Sequence, residues 1–443
     1  MTSYARSSRT DGLAIFATAT LCLGLATTLA LDRVGAPDRL VRAIGPIIVF
    51  VGVALFGVGA RNADLAGFLT ARRSLPPFYG ALNIASVAAG LLLCLDPELA
   101  LAADPAWFAA AAGPPLSVMG FGPLLRRFGA TSVADVVATR FPRSPVRAVS
   151  ALAIWTTSAL TALAGYLNAV AATEALATPD RAWAETIVAV VLALSVVPGG
   201  LAGVVWCGAA SAGAVAAVVI LGHTLGWEGV AAAAPTAPAG AQVFSVDSLA
   251  TVVAVPIAIG VFFAFDSTAI ASRNAREAIR AGLGGALICL ALAIATISSA
   301  SPFHISALVG PNPVRAALVG AAAVAGALAL ARVGVHASCR AMGVALADPP
   351  RPFPALASVR LARMRAAQLA LIVGCAAFDR AGILDARTAL ILGMALSLAA
   401  VAPVAALAAL PRVGSFAMGV AILAACAMAL VRAGAILDRK SVV

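Results

Sequence analysis

This sequence predicts an all-helical, polytopic membrane protein of about 13 spans, on three observations. Of its 443 residues, 62% are hydrophobic and only 11% charged, where a soluble domain has about a quarter charged. Mean hydropathy is +1.01. The basic residues also concentrate in alternate segments between apolar runs. A bilayer-crossing helix needs about 20 apolar residues, so an apolar fraction this large places nearly the whole chain in lipid.

The spans are expected at 12–31, 42–60, 77–96, 105–125, 148–176, 184–202, 204–225, 248–265, 281–301, 314–347, 361–378, 384–408 and 413–432. Residues 12–31 follow Arg6 and Arg9 and resemble a secretory signal peptide. Their apolar core is long, however, and the exit at Asp32 and Arg33 lacks a small-residue cleavage site, which favours a retained span. The segment before the first span and those after each even-numbered span hold 19 of the 30 basic residues and five acids. The opposite side carries 10 basic residues and 13 acids, including Asp96, Glu98 and Asp104 in one loop. The positive-inside rule makes the first side cytoplasmic, together with the N-terminus. The formal net charge of +11 is thus a topology signal, and no nucleic-acid partner is expected.

All seven cysteines lie within apolar spans without a CxxC pair, as small packing residues. No metal site, nucleophile, carboxylate pair or phosphate loop stands out, so neither an enzyme nor a cofactor is expected. The chain divides instead by span count. Residues 1–76 form accessory spans and a cytoplasmic loop, 77–226 a five-helix block, 227–247 an Ala/Pro/Gly-rich extracytoplasmic loop, 248–408 a second five-helix block, and 409–443 a C-terminal accessory span. Two blocks with odd span numbers start on opposite sides of the membrane, the topological condition for a 5+5 inverted repeat of the secondary-transporter kind. The first helix of each block would then be interrupted at the midplane. Asn83, Ser86 and Gly90 in 77–96, and Pro256 and Gly260 in 248–265, are residues that would support such a break.

Four stretches resemble the solute:sodium symporter family, and within it the acetate and monocarboxylate permease branch. FLTARRSLPP at 68–77 is similar to the segment before the first core helix, usually Tyr-Phe-x-Ala-Gly-Arg, with Arg73 matching its arginine. In RRFGATSVADVVATRFPRSPVR at 126–147, Gly129, Ser132, Asp135 and Arg140 fit a Gly-x-x-Thr-x-x-Asp-x-x-x-x-Arg loop, with Ser in place of Thr. PGGLAGVVW at 198–206 resembles the Gly-Gly turn with its following Trp, and ASRNAREAIRAG at 271–282 the basic connection between core helices six and seven. The resemblance spans about 68–348 and implies a LeuT-like fold with alternating access in a bacterial inner membrane. It also implies a sodium ion as coupling ion, yet the chemistry departs from the family. GLLL at 90–93 replaces a serine-rich stretch, Val170 replaces a glutamine, and Arg332 falls where small hydroxyl residues hold sodium. Hard cations want oxygen ligands, whereas a guanidinium supplies only donors.

Arg332 is therefore the most informative residue. Measured from Asp348 it lies about 24 Å deep, and Arg332, His336 and Arg340 form one polar stripe. It either replaces the coupling cation, beside Ala81 and Ile84 in the ion site, or binds a carboxylate substrate. The structural alternative is a shifted helix whose stripe snorkels or pairs with a residue such as Asp266 or Glu174. Further substrate-site candidates are Asn83, Ser86, Asn168, Phe262 and Asp266. Asp135 and Arg140 are expected to cap and pair within a loop. The expected function is secondary transport of a small organic solute, a monocarboxylate by branch resemblance, coupled to sodium, to a proton or to neither. The alternative is a non-transporting membrane sensor or partner subunit bound to a regulatory membrane or cytoplasmic protein.

Overall fold

The computed structural model describes residues 19–20, 23–24, 26–95, 105–141, 145–176, 180–224, 267–298, 312–342 and 357–408. They form helices α1 (Asp38–Gly59), α2 (Leu65–Thr70), α3 (Pro77–Cys94), α4 (Pro105–Phe128), α5 (Val133–Arg140), α6 (Val146–Leu176) and α7 (Arg181–Val196). They continue with α8 (Leu201–Thr224), α9 (Ser267–Ala271), α10 (Ala275–Ser298), α11 (Pro313–Arg340), α12 (Ala357–Ala381) and α13 (Ala386–Ala408). Among the described residues, seven helices are long and apolar enough to cross a membrane: α1, α3, α6, α8, α10, α11 and α12. The expected spans at 248–265 and 413–432, the 227–247 loop and most of 12–31 lie outside the described residues.

α11 is the axis of the bundle. Nearly all of it is buried, and it packs on α6, α1, α3 and α8. Its sequence explains how four neighbours can crowd it: PVRAALVGAAAVAGALALARVGVHASCR is mostly Ala, Gly and Val. In lipid, helices gain little from hydrophobicity and associate through close backbone approach at small residues. A β-carbon at Gly334 would lie 2.5 Å from the Ala162 nitrogen of α6, and one at Gly165 of α6 the same distance from the Ala331 nitrogen. On the α3 side, a β-carbon at Gly90 would lie 2.3 Å from the Gly326 carbonyl.

The structure corrects three expectations. α3 runs unbroken from Pro77 to Cys94: its prolines stand at the start, Ser86 bonds back to the Asn83 carbonyl at 2.8 Å without opening the helix, and Gly90 serves the approach to α11. The corresponding break at Pro256 and Gly260 falls outside the described residues. α11 keeps α-helical form to Arg340 and continues as a π turn at 341–342, while 343–347 of the expected span lie outside the described residues. Residues 133–140 and 357–360, expected in loops, are helical. Asp135 does cap as expected: its carboxylate accepts from the Thr131 and Ser132 amides while Ser132 caps α5 in return. The Arg140 side chain is outside the description.

The basic end of the bundle, where α3 begins, is fastened by its loops. Asn62 donates to the Gly199 carbonyl at 2.9 Å, and Arg365 of α12 donates to the Asn62 carbonyl at 2.7 Å. Phe68 is fully buried against Gly200, whose φ of +56° and contact with the Phe68 ring leave no room for a side chain. Leu75 donates its amide to the Ala271 carbonyl at 3.1 Å, so the entry to α3 and the exit from α9 are joined.

Substitution at Gly334 should be far costlier than at Gly374 of α12, where a β-carbon meets nothing within 4 Å. Gly334→Val should lower the melting temperature in detergent by about 5 °C or more, whereas Gly374→Ala should hold or raise it.

Candidate functional site

The polar stripe of α11 meets three different surroundings. Arg332 is fully buried. Its Nη2 donates to the Ser211 hydroxyl at 2.7 Å and the Cys207 carbonyl at 3.3 Å, both on α8. Cys207 and Ser211 share one face of α8 because they are one turn apart. Nε and Nη1 of Arg332 find no partner among the described residues, so this cation is met there by neutral oxygens only. Glu174, considered as its partner, pairs instead with Arg181 at 3.1 Å. Asp266 and Phe262 lie outside the described residues.

One residue along α8 from Cys207, Gly208 makes space for α3. A β-carbon there would lie 1.9 Å from Asn83 Oδ1 and 3.3 Å from Ser86 Oγ. Asn83 is buried and donates to the Thr268 hydroxyl of α9 at 2.9 Å, while its Oδ1 has no partner among the described residues. Asn83, Ser86, Thr268, Ser211 and Arg332 thus gather around a single turn of α8. Its unmet polar atoms among the described residues are Asn83 Oδ1 and Arg332 Nε and Nη1. Asn168 is not part of it. Its side chain donates to Cys94 Sγ at 2.9 Å, and Cys94 lies about 16 Å from Asn83 along α3. Ala81 and Ile84 are buried with side chains toward Gly284 and Gly285 of α10, on an uninterrupted stretch of helix.

Further along the stripe, His336 is buried and paired with Gln368 of α12 at 3.3 Å, with its ring 5.7 Å from that of Phe68. Arg340, also buried, donates to the Thr131 carbonyl ahead of α5. At the opposite end of the bundle a charge network joins α6, α7 and α12. Arg181 meets Asp379 at 2.5 Å and Glu174 at 3.1 Å, and Arg380 meets Glu185 at 2.7 Å. Tyr166 adds a hydrogen bond to the Glu185 carbonyl at 3.0 Å. Glu185 and Asp379 are buried, so the network is a clamp on the scaffold more than a decoration of its surface.

Sequence reasoning missed Ser211, Thr268, Gln368 and the Arg181 network. Ser211 had a faint signal, as the one hydroxyl side chain between Leu201 and His223. The pairs that tie α12 into the network had none, since Arg181–Asp379 and Arg380–Glu185 are 198 and 195 positions apart in the chain.

These helices define a class, a multi-pass membrane protein with a buried cation among neutral partners at the crossing of α3, α8, α9 and α11. One solved structure narrows the fold. It is a sodium-coupled sialic acid symporter, in a substrate-bound outward-open state described as revealing a novel sodium site. It matches with a TM-score of 0.64 over 89% of this chain and 96% of its own, at 13% identity. The chain has the fold of that symporter. No protein-family description and no curated protein sequence matches it.

Ala71, Arg72 and Arg73, in the turn leading to α3, have φ values of 49°, 53° and 51°. This region favours glycine, and Arg72 stands where the solute:sodium symporter pattern that the stretch resembles has Gly. Its ion pair with Asp64, at 2.8 Å, is largely exposed and worth little. Arg72→Gly should therefore stabilise the protein by about 1 kcal/mol, read as a melting temperature raised by about 1–2 °C.

Proposed function

We propose that this protein is a secondary transporter of a small organic solute, a monocarboxylate by preference. It works by alternating access on a LeuT-like 5+5 scaffold in a bacterial inner membrane, with its N-terminus cytoplasmic. The symporter fold supports the carrier reading. The observation that carries the chemistry is the buried Arg332 guanidinium with Ser211 and Cys207 as its partners. A fixed positive charge at this position makes a sodium ion beside it electrostatically unfavourable. It also supplies the charge-assisted donors that a carboxylate needs. Sodium is then dispensable and a proton remains as the coupling ion. Asn83, Ser86 and Thr268 complete the polar surround, and Asn168 acts at a separate level. Ala81 and Ile84, with Arg332, mark the place the cation would have taken.

A second reading has one observation in its favour. Leu91 and Leu92, in the stretch replacing the family's serines, are buried in the apolar core. A filled core suits a non-transporting sensor or partner subunit that binds a regulatory protein.

Uptake of labelled acetate into proteoliposomes separates the two. The carrier reading expects uptake driven by an inward proton gradient and unchanged when sodium is replaced by potassium. Arg332→Ala should reduce it by at least about tenfold, the worth of one charge-assisted hydrogen bond. No uptake of any small acid under either gradient overturns it, and uptake that requires sodium overturns the role given to Arg332.

A further inference from the structure

The stripe on α11 carries one group that the site above leaves unused. His336 is buried, and its Nδ1 lies 3.3 Å from Nε2 of Gln368 on α12. In this arrangement the amide donates to Nδ1, so the ring proton sits on Nε2. His336 Nε2 and Gln368 Oε1 have no partner among the described residues. A primary amide carries a donor and an acceptor in nearly equivalent positions, and a half-turn about its last bond exchanges them. Gln368 therefore serves the imidazole in both of its states. Its Nε2 donates to Nδ1 of the neutral ring, and after the half-turn its Oε1 accepts from the Nδ1–H of the protonated one. A histidine that only packs needs no such partner. Phe68 completes the surround. Its ring stands 5.7 Å from that of His336 and 5.9 Å from the guanidinium of Arg365, which is half-buried at the basic end of the bundle.

The charges around His336 decide when it takes a proton. On α11 they are Arg332 and Arg340, one turn to either side, and on α12 Arg365. The nearby acids are already engaged: Asp64, ahead of α2, is held by Arg72 at 2.8 Å, and the Asp135 carboxylate accepts from the Thr131 and Ser132 amides. The Cys339 thiol is turned to the Met364 carbonyl. An imidazolium among guanidinium groups is opposed by Coulomb repulsion, and a carboxylate on Arg332 lifts part of that opposition. At a separation of about 10 Å and an effective dielectric of about 20, the relief is on the order of tenfold in proton affinity. Linkage makes the effect reciprocal, so a bound proton raises the affinity for the carboxylate by the same factor. We propose that His336, with Gln368 as its amide partner, is the proton-binding residue of the carrier, loaded together with a carboxylate at Arg332. In the loading step a proton from water joins Nδ1, the neutral imidazole becomes an imidazolium, and the added charge matches that of the anion. This rests on the reading above that Arg332 meets a carboxylate, and it names the residue that carries the coupling proton.

The test is calorimetry of acetate binding to the purified full-length protein between about pH 5.5 and 8, a range in which acetate stays ionised. Two buffers of different ionisation enthalpy count the protons exchanged. Affinity is expected to rise about tenfold toward the acid end, with proton uptake on binding. His336→Gln should bind acetate with an affinity that no longer changes with pH, and without proton uptake. Gln368→Met keeps the imidazole but removes the acceptor for its second proton. It should move the pH dependence to the acid side by about one unit or more, the worth of one charge-assisted hydrogen bond, and it serves as the test if His336→Gln does not fold. A native affinity that is flat with pH and free of proton uptake would overturn the proposal and leave the carrier reading standing. So would a His336→Gln variant that keeps the native pH dependence. Absence of acetate binding at every pH would overturn the carboxylate role of Arg332 and the proton site with it.

Discussion

A guanidinium inside an apolar bundle is expensive: insertion scales place its cost at about 2.5–3.5 kcal/mol at a helix centre. An unpaired buried charge costs more again, because each unmet donor forfeits its hydration. Arg332 is fully enclosed and therefore dictates what its neighbours can be. α8 presents a hydroxyl and a carbonyl to it from one face. The adjacent Gly208 lets α3 bring Asn83 and Ser86 to the same turn. Close approach of this kind is possible because α11 is built from Ala and Gly, so that backbones of α3 and α6 nearly touch it. Cation and small-residue packing are two sides of one arrangement. A larger side chain at Gly208 would push α3 away from α8, and one at Gly334 would push α6 away from α11.

Around this centre the polar groups fall into separate levels. Asn168 with Cys94 lies toward the acidic end, and His336 with Gln368 and Phe68 toward the basic end. The Arg181–Asp379 and Arg380–Glu185 pairs hold α6, α7 and α12 together at one end, while Arg365 and Asn62 stitch loops at the other. Both fastenings involve α12, so this helix is tied at both ends while the site lies between α3, α8, α9 and α11. A carrier that rocks one group of helices against another needs such a stiff group.

Much of the fold was legible in the sequence and much of the site was not, for physical reasons. Apolar length reports spans directly, because a helix crossing lipid must be about 20 residues long whatever it packs against. The expected spans at 77–96, 148–176 and 204–225 match α3, α6 and α8 within a few residues. Arg332 was also visible, since a charge in an apolar run stands out. Its partners were not. Ser211 and Thr268 are ordinary hydroxyls until the fold brings α8 to Arg332 and α9 to Asn83, and Glu174 looked as suitable a partner as any. The expected interruption of α3 failed because Asn83, Ser86 and Gly90 are compatible with a break without requiring one. What Gly90 does require is contact with Gly326, and no pattern within α3 reveals that.

The central claim is that a tethered cation holds the place that a sodium ion takes in sodium-coupled carriers. A ligand that binds only the folded state raises its stability in proportion to its concentration. The most direct measurement is the melting temperature of the purified protein as sodium replaces choline at constant ionic strength. The account predicts no sodium-specific change for the native sequence and the appearance of one in Arg332→Ser, where a hydroxyl stands in for the guanidinium. A saturable, sodium-specific rise in the native protein would contradict it.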